Sequence, residues 1–154
     1  MRRTARVVTG VIFLAAAGCT ANRPAADPPA DRPSPPDLSA AARAAGLTGR
    51  EWQLIAFGDR PAPHGAGGRA ATMGFDLADG RAGGFAGCNR YSASYSLNGD
   101  TLTFGPAVST KMACDAGMEL ETSFLSTLGS VRRFELADSM LVLRGESDVL
   151  ARFR

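Results

Sequence analysis

The side chains with the most chemistry to offer in this 154-residue chain are one histidine, one lysine, three cysteines and a short acidic run. His64 lies in Pro61-Ala62-Pro63-His64-Gly65-Ala66-Gly67-Gly68, a mobile-loop composition. A zinc site takes three or four rigid ligands, and a serine nucleophile takes a G-x-S-x-G turn with a base held against it. Neither pattern is present, so His64 reads as a solvated loop residue, and no metal and no cofactor are expected. The glycine runs Gly65–Gly68 and Gly80–Gly87 flank strands instead of opening a helix, and no G-K-[ST] follows them. They read as turns and bulges, not as a phosphate cradle. Asp115, Glu119 and Glu121 suit helix capping and a solvated face. No catalytic residue emerges, and the expectation is a protein that is not an enzyme.

Three residues are candidates for binding. Lys111 is the lone lysine against 16 arginines, in a loop just ahead of Met112 and Cys114. A specific contact and a structural role both fit it. Asn89, beside Cys88, suits side-chain-to-backbone turn bonds better than a ligand role. Asn89, Lys111 and Met112 are therefore the candidate contact residues.

The N-terminal residues bear on the odd cysteine. Arg2, Arg3 and Arg6 form a positive head, and Val7–Ala17 is an uncharged, mostly apolar run. A spanning helix takes about 20 apolar residues, so the run reads as a secretory signal instead. It ends Leu14-Ala15-Ala16-Ala17-Gly18-Cys19, which resembles the lipobox of bacterial lipoproteins, with Ala16 where leucine is usual. The resemblance implies that residues 1–18 are a removed leader and that Cys19 is lipidated and becomes the new N-terminus. Ordinary cleavage at Ala15–Ala17 is the alternative, leaving Cys19 as a free thiol. Thr20 follows, where enteric-type bacteria place Asp to retain lipoproteins in the inner membrane. Its absence points to the outer membrane, periplasmic side.

With Cys19 assigned to lipid, Cys88 and Cys114 remain as one possible disulfide. It would close a loop worth roughly 3–4 kcal/mol on the chain-entropy estimate. Two buried free thiols are the other reading. The absence of C-x-x-C argues against a redox role. Removing the three leader arginines leaves 14 basic against 15 acidic residues, a formal charge of −1. The basic balance belongs to the leader, and no nucleic-acid partner is expected.

The positioning elements follow from composition and period. Residues 19–46 hold six of the nine prolines and few large apolar side chains, which reads as a disordered tether, with a short helix over Leu38–Ala45 stopped by Gly46. The chain is 45% hydrophobic and 21% charged, so the remainder has a globular balance. Over residues 47–154 the period is mostly two. Strands are predicted at Glu51–Phe57, Thr72–Leu77 (Met73, Phe75 and Leu77 on one face), Arg81–Gly87, Tyr91–Leu97 and Thr101–Phe104. Arg132–Leu136, Met140–Arg144 and Val149–Phe153 form a terminal meander. The glycines of Arg81–Gly87 predict a bulge or a close backbone crossing. Leu120, Phe124 and Leu128 predict one amphipathic helix over Asp115–Leu128, capped by Asp115 and stopped by Gly129. The fold class is mostly β (α+β): a small antiparallel twisted sheet or partly open barrel with one packed helix.

Gly87-Cys88-Asn89-Arg90-Tyr91, Tyr95, Gly99-Asp100, Leu102–Gly105 and Ser109-Thr110-Lys111-Met112-Ala113-Cys114, with the opening Leu47-Thr48-Gly49, Trp52 and Leu54, resemble the META domain (HslJ-like) family. The run Pro61–Ala71 is longer and looser than that family needs. The resemblance implies a small β domain with one helix, common in bacterial envelope lipoproteins. It also implies a fold similar to lipoprotein pilotins, links to envelope stress and secretion, and no accepted catalytic mechanism. The expected function is a lipid-anchored, non-catalytic binding or assembly-support module. Its partners would be the membrane, through the N-terminal lipid, and an unidentified envelope protein. An inhibitor of an extracellular hydrolase, acting through Pro61–Ala71 or Thr110–Ala113, and a pilotin-like secretion chaperone are the alternatives.

Overall fold

The alternation of side chains along each strand decides which face turns inward, and the inward faces here meet around one core. The computed structural model describes residues 38–154. The leader, Cys19 and the first part of the tether lie outside the described residues. In chain order the elements are α1 (Leu38–Leu47), β1 (Trp52–Phe57), β2 (Arg60–Pro61), β3 (Thr72–Asp76), β4 (Arg81–Phe85), β5 (Arg90–Asn98) and β6 (Thr101–Phe104). Then come β7 (Val108–Ser109), α2 (Met118–Ser130), β8 (Arg133–Ala137), β9 (Met140–Arg144) and β10 (Val149–Phe153).

The strands pair antiparallel in the order β10-β9-β8-β6-β5-β4-β3-β1-β2, and β10 returns to pair with β1. The result is a partly closed ring and not a regular barrel. The seam between β6 and β8 is short, one residue pair (Thr101 opposite Arg133) flanked by two backbone bonds of 3.0 Å. The registers of β1 and β9 against β10 are each interrupted by an irregularity. Long β5 serves two neighbours on one side: Tyr91 and Ser92 pair with β7, and Tyr95–Asn98 pair with β6. The predicted strands are all present, and β4 shows the expected close crossing. A side chain at Gly84 would strike the carbonyl of Thr72, so only glycine lets β3 approach there.

Helix α2 fills the interior with the predicted stripe. Leu120, Phe124 and Leu128 are fully buried, and the Phe124 ring meets Tyr91 edge-on at 5.2 Å and Phe153 at 6.3 Å. Its ends differ from expectation. The capping position is Gly117, at φ 95°, with no side-chain cap, so Asp115 does not cap it. Residues 114–117 are held off the helical path by the bond at Cys114 and by Gly117 lying on the Gly87 carbonyl. At the other end the helix runs through Gly129 to Ser130, and Val131 closes it. Gly129 has no positive φ and open space around it, so it stops nothing. Gly129→Ala is expected to raise stability by about 0.5–1 kcal/mol in urea denaturation.

Two further readings change. A second helix, α1, ends at Leu47 and not at Ala45; Leu47 is fully buried, and its carbonyl accepts the Trp52 indole N–H at 2.9 Å. Leu77 is exposed and does not share the face of Met73 and Phe75. The cause is Asp76, whose carboxylate accepts the N–H groups of Ala78 and Asp79 and turns the chain at the strand end.

One core residue carries a stored cost. The Tyr91 hydroxyl is buried with no hydrogen-bond partner among the described residues. Burial, and secondly the charge of Glu51, push its pKa far above the ordinary 10.0. The native protein therefore keeps this proton where the unfolded chain loses it, and stability falls as pH rises above about 10, by up to about 1.4 kcal/mol per pH unit. Tyr95, whose hydroxyl donates to the Asp76 carbonyl, is raised in the same direction by burial and then by Asp76. Tyr91→Phe isolates the first residue. The variant is expected to be more stable by about 1 kcal/mol at pH 7, with a margin that widens at pH 11. A loss of stability would show that the hydroxyl has a partner.

Candidate functional site

The turn between β4 and β5 places Gly87, Cys88 and Asn89 beneath the segment that leads from β7 into α2. Cys88 and Cys114 are joined by a disulfide, with Cα atoms 5.9 Å apart. Asn89, only 2% exposed, bonds in three directions. Its backbone N–H donates to Glu121 Oε2 at 2.7 Å, and its Nδ2 donates to Glu121 Oε1 at 3.3 Å and to the Met112 carbonyl at 3.2 Å. Its Oδ1 accepts the Met112 N–H at 2.8 Å and the Thr110 hydroxyl at 2.9 Å. Ser109 Oγ adds a donor to Glu121 Oε1 at 3.2 Å. One amide thus ties β5, the 110–112 segment and α2 together.

Glycine makes the approach possible on the adjoining side. The Ala66 N–H donates to the Gly87 carbonyl at 2.7 Å, and a Cβ on Gly117 would strike that same carbonyl. Three backbone stretches meet at this node. The run Pro61–Ala71 is accordingly tied down instead of loose: Gly65 N–H bonds to the Arg69 carbonyl at 2.7 Å, and the Arg69 guanidinium lies 4.1 Å from the Phe85 ring. His64 stays exposed, beside a separate cleft with Pro63 and Asp115–Leu120.

Over the clasp lies an open cleft of about 430 Å³, lined by Asn89, Ser109–Ala113, Met118 and Glu121. The structure therefore gathers Cys88, Asn89, Lys111, Met112 and Cys114, which the sequence singled out separately. Their roles differ. Both polar ends of Asn89 are consumed by the clasp, through bonds to residues 110–121 and not the local turn bonds its type suggested. Lys111 and Met112 point outward, and Met112 is 66% exposed. The Met112 main chain is held while its side chain is free.

Glu121 corrects the expectation of a solvated face: it is 7% exposed and accepts three hydrogen bonds. The spacing Glu121, Phe124, Leu128 (i, i+3, i+7) places it on the buried stripe, a signal that charge alone obscured. Met118, 45% exposed at the start of α2, lines the cleft. Among the described residues no group of three or more His, Cys, Asp or Glu is placed to hold a metal. What the cleft offers to solvent is two thioethers and one ammonium above a clasp whose polar groups are already partnered.

A partly closed antiparallel ring plugged by one helix, with a disulfide and an asparagine pinning the segment before that helix, defines a small β domain stapled at one end. The META domain family matches residues 45–154, and the chain belongs to that family. META is not a known catalytic family. The chain is similar to a protein from Burkholderia xenovorans solved by NMR, with 26% identity and a TM-score of 0.56, over 83% of this chain and 96% of that one. A second NMR structure matches at 20% identity and a TM-score of 0.53, over 70% of this chain and 90% of the other, and shows the same fold. Comparison with curated proteins gives no match.

Proposed function

We propose that this chain is a lipid-anchored envelope protein whose META domain is a non-catalytic binding module. It is anchored through Cys19 in the outer membrane, facing the periplasm, and serves a partner protein under envelope stress. The cleft over Asn89 is its docking surface. The observation that carries this reading is the pairing of exposed Met112 and Met118 around one cleft, on a backbone fixed by a disulfide and by Asn89. Flexible thioethers suit an adaptable contact surface, and a fixed backbone lowers the ordering cost of binding.

Two measurements test it. Intact-mass analysis of the protein made with its own leader should give a chain that starts at Cys19 with a diacyl or triacyl addition. A photoreactive residue in place of Lys111 should crosslink a discrete envelope protein, and one in place of Asp138, in the β8–β9 turn, should not. An unmodified N-terminus removes the anchor. Equal yields at both positions remove the docking surface. A second reading, inhibition of an extracellular hydrolase, is favoured by the Thr110–Ala113 segment, exposed at Met112 yet held by Asn89 and by Cys114. Inhibition of a purified hydrolase that is lost in Met112→Asp would support that reading.

A further inference from the structure

Four methionines lie among the described residues, and burial divides them. Met73 is fully buried in the core and Met140 is half-buried at the start of β9. Met112 and Met118 are 66% and 45% exposed and line the same cleft. The two open thioethers therefore line one cleft together with Lys111, and the fully buried one is remote from solvent. The contribution of Met112 to the fold is made by its N–H and carbonyl, both held by Asn89. Its sulfur is not needed for the clasp.

We propose that Met112 and Met118 form an oxidation site, at which a two-electron oxidant such as hydrogen peroxide converts the cleft wall from apolar to polar while the fold stays intact. A sulfur lone pair attacks one peroxide oxygen. The S–O bond forms as the O–O bond breaks, and after a proton shift one water leaves. The sulfur loses two electrons and the peroxide gains them. Each step turns a flexible apolar side chain into a polar sulfoxide. On the reading of this cleft as a docking surface, oxidation would weaken the partner contact. The modification site itself does not depend on that reading.

The test uses the full chain carrying Cys19→Ser, which takes no acyl group. It is treated with hydrogen peroxide and followed by peptide mapping, near-ultraviolet circular dichroism and retention on an apolar column. Among the four described methionines, Met112 and Met118 should oxidise first. Met73 should react more than about a hundredfold more slowly, because it is reached only by opening the core. The aromatic dichroism should be unchanged and retention should shorten. The Met112→Leu/Met118→Leu protein should retain like the unoxidised chain, and peroxide should shift it only by what the peptide map assigns to Met1 and half-buried Met140.

Comparable rates at Met73, loss of the dichroism, unchanged retention after both sulfoxides form, or a peroxide shift of equal size in the double leucine variant would each overturn the proposal. The lipidated protein separates the two readings. A crosslink at Lys111 that peroxide abolishes in the wild type but not in the leucine variant ties the site to docking. No crosslink before oxidation removes the docking reading and leaves the peptide map to judge the oxidation site.

Discussion

Asn89→Ala is expected to cost about 2–4 kcal/mol in urea denaturation, a large share of the stability of a domain this size. The reason is the number of groups one small amide serves. Removing it takes two acceptor contacts from Oδ1, at Thr110 and Met112, and two donor contacts from Nδ2, at the Met112 carbonyl and Glu121. The backbone N–H still reaches Glu121, so that carboxylate keeps two of its three donors. The Met112 N–H and carbonyl lose theirs, and a main-chain group left unpaired on the inner side of the segment bears part of its desolvation cost. Asn89→Asp separates geometry from charge. The size is kept, but an oxygen replaces the donor that faces Glu121 at 3.3 Å, and two carboxylates then oppose each other. At neutral pH the Asp variant is expected to be less stable than the Ala variant. An Asn89→Ala protein as stable as the wild type would show that the clasp is not what holds the 110–112 segment.

The division between what the sequence shows and what it hides follows the range of the interactions. The strands were legible because their signal is local: Tyr91, Ala93, Tyr95 and Leu97 alternate with serines, and Asn98-Gly99-Asp100 is a turn in itself. The helix stripe was legible for the same reason. Two-residue β2 and β7 carry no period at all and exist only through the neighbours they pair with, β1 and β5. Closure of the ring is a contact between β1 and β10, the two ends of the domain, and no local pattern announces it.

Capping failed at Asp115 because a tertiary constraint, the Gly117–Gly87 contact, overrode a sound local preference. Glu121 shows a third case. Its position on the stripe was readable, but its charge argued for solvent, and only the donors of Asn89 and Ser109 make its burial affordable. The type of Asn89 suggests local turn bonds, but its side chain instead reaches the 110–112 segment and a helix more than 30 residues away. The motif that carries the family resemblance is thus largely a set of fasteners. Lys111 and Met112 are the members whose side chains stay exposed.

Removing the disulfide, as Cys88→Ser/Cys114→Ser, is expected to cost about 3.5 kcal/mol, since the bond spans 26 residues and the loss of closure entropy grows slowly with that span. The informative measurement is the combination with Asn89→Ala. Both fasteners act on the segment that leads from β7 to α2, but in different states of the chain. The disulfide mainly restricts the unfolded ensemble, and the asparagine satisfies groups in the folded one. If these were independent, the two losses would add. With the disulfide present, however, Asn89→Ala leaves the unpaired groups of Met112 facing the β4–β5 turn on a segment that cannot leave. Without it, residues 106–117 are free to peel away and hydrate those groups. The cost of Asn89→Ala is therefore expected to be smaller in the serine background, and the triple variant to be more stable than the sum of the parts by about 1–2 kcal/mol. Four denaturation curves decide this. Strict additivity would mean that the segment stays docked on its own, held by β7 and the packing of α2, and that neither fastener sets the shape of the cleft. Sub-additivity would mean that the cleft wall bearing Lys111 and Met112 exists because the two fasteners act together.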